Sequence, residues 1–89
     1  MALLDLLGRR WALRVLWELR EEAPTFRALQ ARCQGMSSSV LNQRLGELRE
    51  AGIAEAGEDG GYRLSVEGRA LMEALEPVDR WAKRWAARG

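Results

Sequence analysis

The sequence predicts a small, mainly helical domain with one β-hairpin. Leucine-rich segments with the 3.6-residue period of a helix fill most of the chain. One glycine-rich turn lies between two short runs of strand-like character near residues 53–65. With 89 residues, the chain can bury only roughly 60–65% of the surface that it exposes when unfolded. We therefore expect one domain over 1–89 that gains stability by packing against a second copy.

The first part of the chain, residues 1–21, has a helical pattern. Leu3, Leu4 and Leu7 share one ridge, and Gly8 is expected to separate a short first helix from a longer second one. After a connector, Thr25 can cap another short helix. Residues 25–51 then comprise this short helix, a turn at 34–35 and a longer helix.

The longer helix, expected at about 38–51, has a clear inward side. Leu41, Leu45 and Leu48 recur at i, i+4 and i+7 and form one apolar stripe. Ser37 can accept a backbone N–H at the start, and Gly52 is the residue type that ends helices. The opposite side collects polar or small residues: Ser39, Asn42, Gln43, Gly46 and Glu50.

That polar side is suited to DNA. Serines leave the first turn uncrowded, so backbone N–H groups and the positive end of the helix dipole can meet a phosphate. Asn42 and Gln43 carry amides, which can pair with adenine in the major groove. The alternative is an ordinary solvated helix face.

Strand-like runs at 53–56 and 62–65 flank the turn at 57–61, so residues 53–65 are predicted to form a wing hairpin. The fold class is therefore a winged helix-turn-helix. The wing tip, Glu58 and Asp59, should repel phosphate, so either the wing stays clear of DNA or binding is weak. Ser65 can cap a final helical region, 66–88, which Pro77 is expected to kink or divide near 75–76.

Composition argues against an enzyme. The chain has one cysteine and no histidine, which removes the usual zinc sites and the usual general base. We expect no catalytic residues, no metal and no cofactor. No apolar run approaches the roughly 20 residues of a membrane span, and residues 1–7 do not resemble a signal peptide, so we expect a cytoplasmic protein. Cys33 is expected to be a small buried residue and not a redox sensor.

Net charge is only +1, which is weak for a nucleic-acid binder. Thirteen of the fourteen basic residues are arginine, the side chain suited to bidentate phosphate contacts. The codon composition of a GC-rich genome explains this preference for arginine over lysine better than phosphate binding does.

Several motifs, in their order and spacing, resemble the HxlR-type winged-helix transcriptional regulators, which are close to the MarR type. They are LLGRRW at 6–11, TFRAL at 25–29, GMS at 35–37, VLNQRL at 40–45 with Leu48, YRLS at 62–65, EGR at 67–69 and Trp81. The resemblance implies a homodimeric regulator from a bacterium or archaeon that binds double-stranded DNA.

The resemblance also implies a set of contact residues. The four side chains that would face the major groove are Ser38, Ser39, Asn42 and Gln43. Arg44 could brace the helix-turn-helix, which we favour, or reach a phosphate, and Arg27 could contact a phosphate or simply be solvated. The predicted DNA-binding set is Ser37, Ser38, Ser39, Asn42, Gln43, Arg44, Arg27 and Arg63.

The terminal helices are expected to form a two-fold dimer interface, although their apolar residues could instead complete one small core. A dimer predicts a pseudo-palindromic operator with half-sites roughly 10 bp apart. The interface set is Leu3, Leu4, Leu7, Val78, Trp81 and Trp85.

Two further possibilities stay open. Near-neutral charge and the acidic wing favour an alternative function, a protein-interaction module with weak or no DNA binding. The sequence also leaves room for a small-molecule effector between the tryptophan-bearing helices, although no residue identifies one.

Overall fold

The computed structural model describes residues 2–20 and 22–88. Over these residues the chain forms five helices and one two-stranded antiparallel hairpin. In chain order they are α1 (Ala2–Leu7), α2 (Ala12–Glu18), α3 (Phe26–Arg32), α4 (Ser38–Glu50), β1 (Ala54–Ala56), β2 (Tyr62–Leu64) and α5 (Val66–Ala87). This is the predicted winged helix-turn-helix, with α3 and α4 as the helix-turn-helix and β1–β2 as the wing.

The core lies where α2, α3, α4 and the wing meet. The leucine stripe of α4 is buried as predicted, at 2% exposure or less for each side chain. It packs in one cluster with residues of α2 and α3, and apolar side chains from the first half of α5 cover the cluster. The largest fully buried side chains are Leu16, Leu29, Leu41, Leu45, Leu48, Val15 and Cys33.

The helix boundaries follow the capping residues. Thr25 Oγ1 accepts the Ala28 N–H at 3.2 Å, which caps α3. Gly52, at φ +77°, ends α4 in the left-handed region that glycine adopts without strain. Its N–H donates to the Arg49 carbonyl, and the next N–H, from Ile53, reaches back to Leu48. The chain therefore turns sharply out of α4 into the wing.

The wing is fastened to the start of the helix-turn-helix. The register pairs Ala54 with Leu64 and Ala56 with Tyr62. The Tyr62 N–H donates to the Pro24 carbonyl at 2.9 Å, beside a bridge between Thr25 and Gly61. The hairpin is thus held at the N-terminal end of α3 as well as at α4.

Of the two outcomes expected at Pro77, a kink or a division of the helix, the division is wrong: α5 continues unbroken through Pro77. A proline removes one helical hydrogen bond, here the one that the Glu73 carbonyl would accept. Pro77 and Glu73 are both exposed, so water can take the place of the missing N–H. Helical residues on both sides of Pro77 then keep the helix continuous.

Gly68 lets α5 pass directly over the chain at Ile53. A Cβ at position 68 would lie 2.1 Å from the Ile53 carbonyl oxygen. We expect Gly68→Ala to lower the free energy of unfolding by about 1–3 kcal/mol through overpacking. Gly46 is the matched control, because a Cβ there meets nothing within 4 Å. Gly46→Ala should raise stability by roughly 0.5–1 kcal/mol. Urea unfolding at one protein concentration measures both changes. If Gly68→Ala leaves the free energy of unfolding unchanged, α5 does not pass this close to the Ile53 carbonyl.

Among the described residues, no helix combines the length and apolar character that a bilayer crossing requires.

Candidate nucleic-acid interface

The structure leaves one side of α4 open to solvent. Ser37 caps the helix, its Oγ accepting the Val40 N–H at 3.1 Å. Because the leucine stripe faces the core, the opposite side chains project outward. The predicted contact residues on this helix that are exposed are Ser37, Ser38, Ser39, Asn42 and Gln43.

The charge along α4 changes from one end to the other. Its first turn holds no acidic residue, so the positive end of the helix dipole is uncompensated there. The carboxylates of Glu47 and Glu50 come only in the second half. The N-terminal half of this face is therefore compatible with a polyanion, and the amides of Asn42 and Gln43 lie within it.

Arg44 has the geometry of a brace. Its side chain is only 13% exposed. The Nε–H donates to the Arg10 carbonyl at 2.9 Å, and one terminal nitrogen contacts the Glu47 carboxylate. The favoured interpretation from sequence therefore has hydrogen bonds to support it, whereas contact with a phosphate stays a prediction.

The other two predicted arginines lie on different elements. Arg27 is exposed in the first turn of α3. Arg63 lies on β2, where its Nε–H donates to the cross-strand Glu55 carboxylate at 2.9 Å, and both side chains are about half exposed. The structure thus brings Arg63 into the wing but pairs it with an acid. DNA contact by either arginine stays a prediction.

The wing turn is closed by its own backbone and by an aspartate. Gly57 N–H donates to the Gly61 carbonyl at 2.8 Å. The Asp59 carboxylate accepts the Gly61 N–H at 3.1 Å, so this acid shapes the turn. Glu58, beside it at the tip, is exposed. Of the two acids, only Glu58 is therefore a simple surface charge.

The predicted interface residues fall into two groups. Leu3 and Leu7 are partly buried against this chain's own core. The remaining four are exposed, and Trp81 and Trp85 stack at 5.9 Å between ring centroids. The exposed members are Leu4, Val78, Trp81 and Trp85, at 55–63%.

An apolar groove lies between α2 and α5. Leu13 and Trp17 line it from α2, and Met72, Leu75 and Val78 from α5. Leu13 and Trp17 are 50% and 38% exposed. Both residues belong to the helical pattern of residues 1–21, but that pattern alone does not indicate a groove.

Cys33 is buried at 1% exposure, as expected from sequence. Burial raises the pKa of the Cys33 thiol and outweighs the opposing hydrogen bond and positive charge of Arg14. Only the thiolate is strongly nucleophilic, so this residue packs as a small apolar group at neutral pH. Within the described residues, no group of three or more potential ligands is placed to hold a metal ion.

Two members of the Arg44 contact, Glu47 and Arg9, were not among the residues predicted from sequence. The Arg9 guanidinium donates to the second Glu47 carboxylate oxygen at 2.9 Å. Glu47 lies three residues after Arg44, a spacing at which helical side chains meet, so that half of the network was accessible from sequence. Arg9 lies 38 positions before Glu47, and no local pattern indicates that pairing.

Comparison with known proteins agrees with this architecture. The sequence model of the HxlR-like helix-turn-helix family matches residues 6–89. The uncharacterized HTH-type transcriptional regulator YvaP of Bacillus subtilis strain 168 is 29% identical over 87 aligned residues, covering 91% of this chain and 81% of YvaP.

Two solved structures are similar as well. Quinone-bound YodB from B. subtilis superposes with a TM-score of 0.85 at 26% identity, covering 93% of this chain and 92% of YodB. A possible HxlR family transcriptional factor from Thermoplasma volcanium GSS1 gives a TM-score of 0.82 at 21% identity, covering 96% of this chain and 82% of the other. The second likeness supports the winged-helix fold alone.

Proposed function

The chain belongs to the HxlR-like helix-turn-helix family, one of transcriptional regulators and not of enzymes, and from that premise we propose that it acts as a homodimer on a pseudo-palindromic operator. In this proposal α4 enters the major groove. The protein works in the cytoplasm, where operator DNA lies.

One observation carries the proposal: α4 presents exposed amide side chains on the surface that faces away from its buried leucine stripe. Because the leucines fix the helix against the core, Asn42 and Gln43 are held outward on a rigid element. The acid-free first turn adds backbone N–H groups for a phosphate. The proposed contact set keeps Ser37, Ser38, Ser39, Asn42, Gln43, Arg27 and Arg63, whereas Arg44 is proposed to brace α4.

Exposed apolar surface on the terminal helices supports the dimer. Trp81 and Trp85 form a stacked pair that is more than half exposed on α5, and Leu4 is exposed on α1. Large exposed apolar side chains that stack on each other, as these two tryptophans do, are typical of an interaction site. A two-fold axis through it would present two α4 helices to successive major grooves, about 34–36 Å apart.

The rival function is a protein-interaction module, which the near-neutral charge and the acidic wing tip favour. Salt dependence separates the two. We expect affinity for a labelled random duplex, measured by fluorescence anisotropy, to fall steeply between 50 and 200 mM salt, because each neutralised phosphate releases counterions. Absence of binding at low salt would exclude the regulator and leave the interaction module.

The wing tip offers a second prediction. Glu58→Lys should strengthen binding to random duplex and steepen its salt dependence by roughly one unit of slope, because a repelling charge becomes a phosphate contact. Glu73→Lys on α5 is the control, since it adds the same net charge at a different exposed site. Equal gains from both variants would mean that the wing stays away from the duplex.

A further inference from the structure

A network of charged side chains joins the segment between α1 and α2 to the middle of α4. Arg44 donates to the Arg10 carbonyl at 2.9 Å and contacts one oxygen of Glu47. The other Glu47 oxygen accepts from Arg9 at 2.9 Å. The side chains of Arg44 and Glu47 are only 13% and 20% exposed. Two residues of α4 are thereby tied to two successive residues just after α1.

The segment that they hold has an unusual backbone. Trp11 adopts φ +76°, ψ −8°, and it is the one non-glycine residue with positive φ in the described part of the chain. A bulky side chain in this region is strained by about 1–3 kcal/mol, so the surrounding contacts must maintain it. Arg10 stacks over the Trp11 ring at 5.5 Å. The strained turn sets the angle between α1 and α2.

The network therefore spans two functional parts of the molecule. On one side is α1, which carries Leu3, Leu4 and Leu7 of the proposed dimer interface. On the other is α4, with Asn42 and Gln43 on its exposed face. Ion pairs fully open to solvent contribute little, but Arg44 and Glu47 are largely shielded and each makes two contacts.

We propose that Arg44 and Glu47 are positioning residues that fix the orientation of α4 relative to α1 through Arg9, Arg10 and Trp11, and so set the distance between the two half-sites that the dimer accepts. This rests on the proposed function, since it assumes a dimer that reads two half-sites. Each extra base pair between half-sites moves them apart by about 3.4 Å and rotates one by roughly 35°. A firmly held α4 tolerates such a shift poorly.

The test measures affinity for palindromic duplexes whose half-sites are at the preferred separation, or one or two base pairs closer or farther, and for a single half-site. Glu47→Gln keeps the size of the side chain and removes the charge. We expect its affinity at the preferred separation to fall roughly 2- to 30-fold, with smaller losses at the other separations. Affinity therefore depends less on the half-site separation than it does in the wild type, whereas affinity for a single half-site is unchanged.

Glu50→Gln is the matched control, because it removes the same charge from an exposed position three residues further along α4. The shape of its separation profile, meaning the relative affinities at the different half-site separations, should equal that of the wild type. Simple charge removal near DNA would strengthen binding in both variants, which is opposite to the loss expected for Glu47→Gln. A wild-type profile for Glu47→Gln would overturn the inference.

Arg44→Lys is the second variant, since lysine keeps the charge but lacks the planar fork that reaches Arg10 and Glu47 together. Like Glu47→Gln, Arg44→Lys should make affinity depend less on the half-site separation. If Arg44→Lys instead lowers half-site and random-duplex affinity with the separation preference retained, Arg44 is a phosphate contact and the inference fails. Failure of the wild type to bind any duplex would refute the proposed function itself.

Discussion

Replacing Asn42 or Gln43 with alanine is expected to weaken operator binding by about 1–3 kcal/mol, roughly 5- to 150-fold. The reason is geometric: both amides are exposed on the side of α4 that the buried leucines turn outward. A bidentate amide contact with adenine specifies a base, so affinity for random duplex should change little. Titration of operator and random duplex in the same buffer measures both effects.

Arg27→Ala is the control for this experiment. Arg27 is exposed on α3 and is proposed to contact a phosphate. Its loss should weaken binding to operator and random duplex alike and lower the salt slope by roughly one unit. Unchanged operator affinity in both amide variants would mean that the assigned face of α4 does not read bases.

Truncating a leucine of the buried stripe should lower the free energy of unfolding. Leu45 is 2% exposed within the main apolar cluster. We expect Leu45→Ala to lower the free energy of unfolding by roughly 2–5 kcal/mol, since it removes buried methyl groups and leaves a cavity. Denaturant unfolding followed by circular dichroism, at one protomer concentration, measures the change.

Asn42→Ala provides the comparison on the same helix. Its side chain is exposed, so the variant should stay within about 0.5 kcal/mol of the wild type. The two substitutions therefore separate stability from recognition. If Leu45→Ala proved as stable as Asn42→Ala, the burial assigned to the stripe would be wrong.

The fold was accessible from the sequence where local rules decide it. The period of Leu41, Leu45 and Leu48 identified the buried side of α4, and Ser37 and Gly52 gave its ends. The wing followed from a glycine-rich turn between two short runs. Each feature depends on residues close together in the chain, so pattern and capping chemistry were sufficient.

Other features depend on tertiary contacts, and the sequence did not predict them. Trp11 lies within a helical pattern, yet it adopts a left-handed backbone because packing and neighbouring hydrogen bonds hold it there. Pro77 predicted a kink or a division of α5, but the helix is not divided, because the missing hydrogen bond lies on an exposed side of the helix. Local propensity was overridden in both places.

The residues of the candidate site fall into the same two groups: those that local sequence predicts and those that depend on tertiary contacts. The exposed amide face followed from helical geometry alone, since the residues opposite a buried stripe must face outward. The partners of Arg44 did not, because Arg9 and Arg10 approach it only in the folded chain. The residues proposed to read bases are therefore easier to identify from sequence than the residues proposed to position them.

The central claim is that a two-fold dimer reads DNA through α4. The most direct test is selection of bound duplexes from a random pool by the wild-type protein, followed by sequencing. The expected result is an enriched inverted repeat whose half-site centres lie about 10 bp apart. A pool that shows no enriched sequence, or one enriched for a single unrepeated site, would contradict the claim.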